Sequence, residues 1–381
     1  PKTHYTRGRP RGFLLSRLGI LHSTASMTTT QIAIPHSLDL PSALEFSIAI
    51  NKVTHADAFV FDFSSTRHVE PFPMLMVSSE IQRLVMRFPG SRISCANFKH
   101  MTYAGHMGFF QAFGLEFGKA PGDANGSKRY LPLKIFRCEQ LIQSAASKGI
   151  EVGDEVEGES KHMAAMLCGS DSGSILETLT YSVREMMRNV VEHSKATQFG
   201  ICAQFWPTKN RVEVAILDRG IGLRESLKNN PHLDASSDKR AINYALMPAV
   251  SGKAFKGARQ KQRGQWANSG FGLYMTSRIC RNGGSFFIAS GDTGMLLTKK
   301  AEAKRYLGCI FGGTAIRLVV RTDQIAELRD ALETYRNEGY LIQQRYKEIV
   351  SIDPSSASLM LSEDFDLSVW DRILAKIKGM R

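Results

Sequence analysis

The chain has 381 residues, of which 43% are hydrophobic and 22% are charged, and its formal net charge is +13. This length favours two domains, because single hydrophobic cores rarely grow beyond roughly 300 residues. No apolar run approaches the roughly 18 residues of a membrane helix, so no membrane segment is expected. Six scattered cysteines without a CxxC pair argue against a zinc site and indicate reduced thiols in a cytoplasmic protein.

The basic excess is concentrated in two stretches. Residues 1–26 contain five lysines and arginines and no acidic residue. We expect them to be a non-native or upstream-translated extension, with a basic transit-like peptide or an arm for an acidic partner as alternatives. Without these five charges the net charge is +8, which makes nucleic-acid binding the weakest class of function. The second stretch, 252–264, lies among the motifs described below.

Residues 27–118 alternate short apolar runs with helical periodicity. "IAIP", "DAFVFDFSS" and "SRISCANF" are typical of strands, whereas "DLPSALEFSIAINKV", "PFPMLMVSSEIQRLVMRF" and "AGHMGFFQAFGL" are typical of helices. The order β-α-β-α-β-α predicts an α/β domain with a mostly parallel sheet covered by helices.

The remaining chain divides into three parts. Residues 119–172, rich in turn formers and charge, are predicted to be a linker with one amphipathic helix near 134–148. Residues 173–321 are predicted to form an α+β sandwich. It contains a helix "SILETLTYSVREMMRNVVEHS", strands "QFGICAQFW" and "RVEVAIL", a polar connection of about fifty residues, a helix near 272–282, and strands "SFFIAS", "GMLLTK" and "TAIRLVV". Residues 322–381 are predicted to be a largely helical tail.

Polar side chains recur every four residues along one face of the first helix in 173–321. These are Glu185, Asn189 and His193. An amide oxygen such as that of Asn189 is a suitable ligand for Mg²⁺, and Glu185, one turn earlier, could orient water or accept a proton. For His193, interaction with the helix dipole and contact with a ligand remain equal alternatives.

Two glycine-rich pieces follow further along the chain. Asp218 ends an apolar strand, where its carboxylate could accept a hydrogen bond from an exocyclic amine such as that of adenine. Gly220 and Gly222 would let the backbone approach a flat ring. Gly270 and Gly272 begin a helix, whose first N–H groups form an anion site suited to phosphates.

A third glycine-rich piece and a basic run extend this pattern. Leu273 follows the second glycine piece, and Thr314 ends a third one, Gly312-Gly313-Thr314, at the start of a strand. The basic run 253–263, beginning with Lys253, precedes the anion site and is interpreted as a loop that closes over phosphates. Alone, each segment is a weak signal; together and in this order they predict one nucleotide site.

The polar face of the helix and the three glycine-rich pieces resemble the four conserved boxes of the GHKL ATPases, the histidine-kinase-like superfamily. Among these proteins they resemble most closely the anti-sigma-factor serine kinases. The resemblance covers 173–321 and implies a Bergerat-type sandwich. It implies that Asp218 and Thr314 bind adenine, Asn189 holds Mg²⁺, and Glu185 is the catalytic base. The sequence departs from the family at Asn268, where the second glycine box has a glycine.

The segment "FVFDFSSTRHVEPFPMLM" resembles the central strand, loop and helix of STAS domains, the fold of anti-sigma-factor antagonists. Those proteins have a phosphate-accepting serine where this chain has Glu70-Pro71-Phe72-Pro73. The resemblance therefore implies a STAS-like domain, 27–118, that is not a conventional phosphorylation substrate. Ser64, Ser65 and Thr66 are the remaining candidate acceptors.

The sequence thus predicts a cytoplasmic Mg·ATP-binding regulatory protein with a STAS-like domain, a GHKL domain and C-terminal helices. In one mechanism it hydrolyses ATP with lid closure coupled to dimerisation or partner binding. In another it transfers the γ-phosphate to a serine or threonine of a protein partner. The alternative is a non-catalytic ATP-gated switch that signals to a partner through the STAS-like domain.

Overall fold

A computed structural model describes residues 27–168, 172–253, 271–299, 304–325, 334–335 and 337–344. The extension 1–26, Gly270 and most of the tail 322–381 lie outside these ranges, as does most of the basic run 253–263. The described tail residues 337–344 are helical, as predicted for that part of the chain. In the described ranges, no helix is long and apolar enough to cross a membrane.

The first unit, residues 27–118, contains a three-stranded parallel sheet in the order β1-β3-β5 and a two-stranded one formed by β2 and β4. Its elements are β1 (Thr29–Ala33), β2 (Ser37–Leu38), α1 (Leu40–Asn51), β3 (Ala58–Asp62), β4 (His68–Val69), α2 (Pro71–Arg87), β5 (Arg92–Ala96) and α3 (Thr102–His106). The helix α1 begins where Asp39 accepts from the Ser42 N–H at 3.1 Å, and the Ser42 hydroxyl accepts from the Asp39 N–H at 3.0 Å. The predicted parallel β-α-β-α-β order is confirmed.

The third helix predicted in the first unit, "AGHMGFFQAFGL", has the wrong bounds. Only α3 is α-helical, and a short 3-10 turn follows at Gln111–Phe113. Gly108 and Gly114 lie between and after these pieces with φ of +90° and +95°. This left-handed backbone interrupts a helix, so the apolar residues around it pack as a compact turn instead.

The second unit is built on an antiparallel five-stranded sheet in the order β6-β7-β8-β10-β9. Its elements are β6 (Tyr130–Arg137), α4 (Cys138–Lys148), α5 (Val152–Cys168), α6 (Ser174–Asn189), β7 (Gln198–Trp206), β8 (Arg211–Asp218), α7 (Gly222–Leu227), α8 (Asp238–Ala245), α9 (Gly272–Arg281), β9 (Ser285–Thr298) and β10 (Arg305–Arg321). The mixed α/β composition agrees with the predicted fold class.

Several predictions of elements in this unit need correction. The segment 119–172 contains the strand β6 and two helices, not one helix in a linker, and α5 buries the apolar side chains of Val156, Met163 and Leu167. The polar connection after β8 contains α7 and α8. "SFFIAS" and "GMLLTK" belong to the single long strand β9.

Both faces of the five-stranded sheet are buried. In β8, Val212, Val214 and Ile216 belong to an apolar core shared with α5, α6 and α9. The alternate residues Ala215 and Leu217 belong to a different core, which includes most apolar side chains of the first unit. Because side chains of a strand alternate between faces, one strand joins both cores. The first unit therefore covers one face of the sheet, and the helices of the second unit cover the other.

A buried ionic cluster lies at this contact. Glu213 of β8 is fully buried, and its carboxylate accepts from the Arg317 guanidinium at 2.8 Å and from that of Arg211. Both arginines also pair with Glu70, at 3.1 and 3.2 Å, and Glu213 accepts from the Phe72 N–H at 3.2 Å. The two carboxylates balance the two guanidinium groups, which a buried charge requires. The cluster attaches the beginning of α2 to β8 and β10.

Candidate functional site

The predicted nucleotide-binding residues converge on one cleft of about 800 Å³, open to solvent, between α6, α7, α9 and the end of the sheet. Six of the predicted residues line it: Asn189, Asp218, Gly222, Gly272, Leu273 and Thr314. They come from segments spread over 126 positions of the chain, from 189 to 314. This volume includes open solvent at the mouth of the cleft.

Asp218 lies at the base of the cleft. It ends β8 directly opposite Thr314 of β10, and only 3% of its surface is exposed. Burial raises the pKa of its carboxyl group to about 6, although a hydrogen bond from the Gly220 N–H, at 2.8 Å, and the charge of Arg219 oppose this. At neutral pH the group is a carboxylate in a nearly dry position, so it favours a ligand that donates a hydrogen bond.

Gly220 holds the loop after β8 close to the end of the preceding helix. The Ile221 N–H donates to the Ser194 carbonyl at 2.8 Å, and a Cβ at position 220 would overlap that same carbonyl oxygen. Any larger residue would push the loop away from the helix. Gly220 therefore shapes the wall of the cleft through backbone packing, while its neighbour Gly222 lines it directly.

Glu185 and Asn189 lie one turn apart on α6, but in different surroundings. Glu185 is 9% exposed and accepts from the Arg184 guanidinium at 3.0 Å. Its other oxygen faces the beginning of α9, where a Cβ on Gly272 would overlap it. The predicted base is therefore beside the cleft, in an ion pair, and does not appear among the residues that line it.

The side-chain amide of Asn189 is the polar group of the cleft that most clearly lacks a partner. Its Nδ2 atom is buried and makes no hydrogen bond within the described residues. Buried amide groups nearly always have partners, and turning the amide by half a rotation exchanges its oxygen and nitrogen. Asn189 therefore fits a position that interacts with a ligand or ion in the cleft.

His193 lies in the cleft wall, on a π-helical turn, Val190–Ser194, that ends α6. Burial lowers the pKa of its imidazole, and the nearby charge of Lys253 lowers it further. A neutral ring at this position interacts only weakly with the helix dipole. Lys253 itself donates from Nζ to the carbonyl of Glu192, in the same turn.

The sequence did not identify several residues that complete the site. Apolar side chains form the walls: Met186, Val190, Leu223, Leu227, Ile288 and Ile316. Met186 and Val190 belong to the apolar core of the second unit and also border the cleft. Ser290 donates to the Gly313 carbonyl at 2.8 Å and accepts from the Leu223 N–H at 3.0 Å. No local pattern distinguishes this serine, in the interior of β9, from other serines in strands.

No protein-family model matches this chain, and a search of curated proteins found no match either. The case for a function therefore depends on the cleft and its residues.

Proposed function

We propose that this protein binds Mg·ATP in the cleft, as a GHKL-type domain with a Bergerat-type sandwich fused to a STAS-like domain. The observation that carries the proposal is the convergence of four separate motif pieces on one cleft with a buried carboxylate at its base. Asp218 would accept from the adenine amine, with Thr314 beside it. Apolar walls suit the faces of a purine, and the amide N–H groups at the start of α9 suit phosphates.

Asn189 would hold the magnesium ion, because its Nδ2 position is buried without a partner among the described residues and turning the amide would place the oxygen there. When bound, Mg²⁺ neutralises the charge of the phosphates. Lys253, at the rim, could exchange its contact with the Glu192 carbonyl for one with a phosphate.

For the chemical step, Glu185 would orient water or deprotonate a partner hydroxyl, and the protein would then be an ATPase or a serine/threonine kinase. Transfer within the chain to the position of the STAS acceptor is disfavoured. At that position Glu70 is ion-paired, and the Phe72 N–H is bonded to Glu213. Of the other candidates, Ser64 and Ser65 are exposed and Thr66 is buried. A protein partner is the better acceptor.

A second candidate is an ATP-gated switch without turnover. It is favoured by the ion pair between Glu185 and Arg184, because the carboxylate would have to break this contact before it could orient water or accept a proton. Binding would then signal through the first unit to a partner or a second copy of the chain.

Incubation of the full chain with Mg²⁺ and γ-labelled ATP separates these functions, provided that free phosphate, labelled protein and bound nucleotide are measured separately. We expect Asp218→Asn to abolish binding, and Asp123→Asn, at an exposed carboxylate outside the cleft, to preserve it. Turnover that Glu185→Gln removes would indicate an enzyme, whereas binding without turnover in both proteins would indicate the switch. Wild-type protein that does not bind ATP would refute the proposal.

A further inference from the structure

Arg219 lies between two predicted nucleotide-binding residues, Asp218 and Gly220, but faces away from the cleft. Its Nη2 donates to the Glu80 carboxylate at 2.7 Å and its Nε to the Ser79 hydroxyl at 2.8 Å, both on α2 of the first unit. The alternation of side chains along β8 explains this arrangement, because it directs Asp218 to the cleft and the next residue to the opposite face. Consecutive residues thus connect the cleft to the first unit.

Glu80 belongs to α2 and also contacts the end of α1. It is 1% exposed, and its second oxygen accepts from the Asn51 side-chain amide, at the end of α1, at 3.0 Å. The same amide donates to the Ser47 carbonyl at 2.8 Å. A buried carboxylate cannot move without breaking its charged hydrogen bonds, and Asn51 holds this one at the end of α1. Arg219 is therefore attached to a rigid part of the first unit.

The guanidinium group also reaches the third glycine piece. Its Nη1 donates to the Gly312 carbonyl at 3.3 Å, and its centre lies 3.9 Å from the centroid of the Phe311 ring. Gly313 packs so closely on the Asp218 carbonyl that a Cβ there would overlap it. One arginine thus contacts both sides of the base of the cleft. These two sides are the end of β8 at Asp218 and the strand that contains Thr314.

We propose that Arg219 is a positioning residue for recognition of the nucleotide base, and that Glu80 of the first unit fixes it in place. The first unit then determines where the Asp218 carboxylate lies, and hence how well adenine is distinguished from guanine, which has a carbonyl where adenine has its amine. This inference rests on the proposed function. It makes the first unit a part of the nucleotide site, although none of its residues lines the cleft.

Arg211 provides a matched control. It also pairs with a glutamate, Glu70, which directly precedes α2, but at the other end of β8. Seven residues separate it from Asp218, which corresponds to roughly 23 Å along a strand. Loss of Arg211 would weaken the contact between the units without moving the base of the cleft.

The test compares the full-length wild type with Arg219→Gln, Glu80→Gln, their double variant and Arg211→Gln. Binding of ATP and GTP with Mg²⁺ is measured by calorimetry, and the unfolding midpoint by a thermal scan. We expect each single variant of the pair to reduce the preference for ATP over GTP about tenfold, and the double variant to lose no more than either. Arg211→Gln should lower the unfolding midpoint and leave the preference unchanged.

The inference would be overturned if the wild type prefers ATP over GTP and a folded Arg219→Gln variant shows the same preference. That result would leave the proposed function intact. Failure of the wild type to bind ATP would remove both. If Arg219→Gln does not fold, Arg219→Lys decides, because lysine keeps the charge beside Glu80 but cannot bond to Ser79 and Gly312 together. A folded lysine variant should lose part of the preference, and full retention would refute the positioning role.

Discussion

Replacement of the Asp218 carboxyl group by an amide tests how much folding free energy the buried charge of Asp218 costs. Asp218 is 3% exposed, and burial raises its pKa from 3.8 to about 6. A raised acid pKa means that ionisation costs more in the folded chain than in the unfolded one. The cost is absent below pH 3.8, grows between the two pKa values and is complete above about pH 6. It amounts to about 3 kcal/mol, of which about half is present at pH 5.

An asparagine at this position can still accept the hydrogen bond from Gly220 but cannot ionise. We therefore expect Asp218→Asn to raise the free energy of unfolding by about 3 kcal/mol at pH 8 and by about half of that at pH 5. Urea unfolding of both proteins across this pH range measures the difference. Asp123→Asn, at an exposed carboxylate, should show no such trend. A difference that stays constant with pH, or a less stable Asp218→Asn protein at pH 8, would refute the reasoning.

Three further predictions concern the cleft and the ionic cluster. ATP affinity should fall about tenfold between pH 7 and pH 5 as Asp218 gains a proton, measured by calorimetry, and a flat profile would contradict its role as acceptor. Gly272→Ala should destabilise the protein by about 1–3 kcal/mol and displace Glu185. Gly158→Ala, with open space around its Cβ, should not destabilise it. Equal thermal unfolding midpoints of the two variants would contradict this prediction. Glu213→Gln should lower the free energy of unfolding by about 3–5 kcal/mol in urea titrations, because it leaves the buried Arg317 and the partly buried Arg211 with one carboxylate. A neutral effect would contradict that charge balance.

The sequence predicted best those features that depend on neighbouring residues. The parallel order of the first unit, the helix α6 and the strands β7 and β8 follow from local periodicity. The helix α8 also had a local signal, Ser237 as its N-cap, which accepts from the Arg240 N–H, but the polar residues around it favoured a loop.

Features that depend on distant partners were not predictable. The strand β6 pairs with β7 more than sixty positions away, and its Lys134 to Arg137 portion lies in the stretch that the sequence predicts as a helix. The contact between Arg219 and Glu80 joins residues 139 positions apart. Neither residue carries a local motif, so only the folded chain shows that the first unit reaches the loop after β8.

The core shared by the first unit and the sheet has a consequence for synthesis of the protein. The apolar faces of α1 and α2 emerge early from the ribosome, yet their partners in β8, β9 and β10 are made almost last. Contacts of such high sequence separation form slowly, and unsatisfied apolar surfaces promote association between nascent chains. We expect the chain to depend on chaperones until residues near 320 have been made, and fragments that end before β10 to aggregate when expressed.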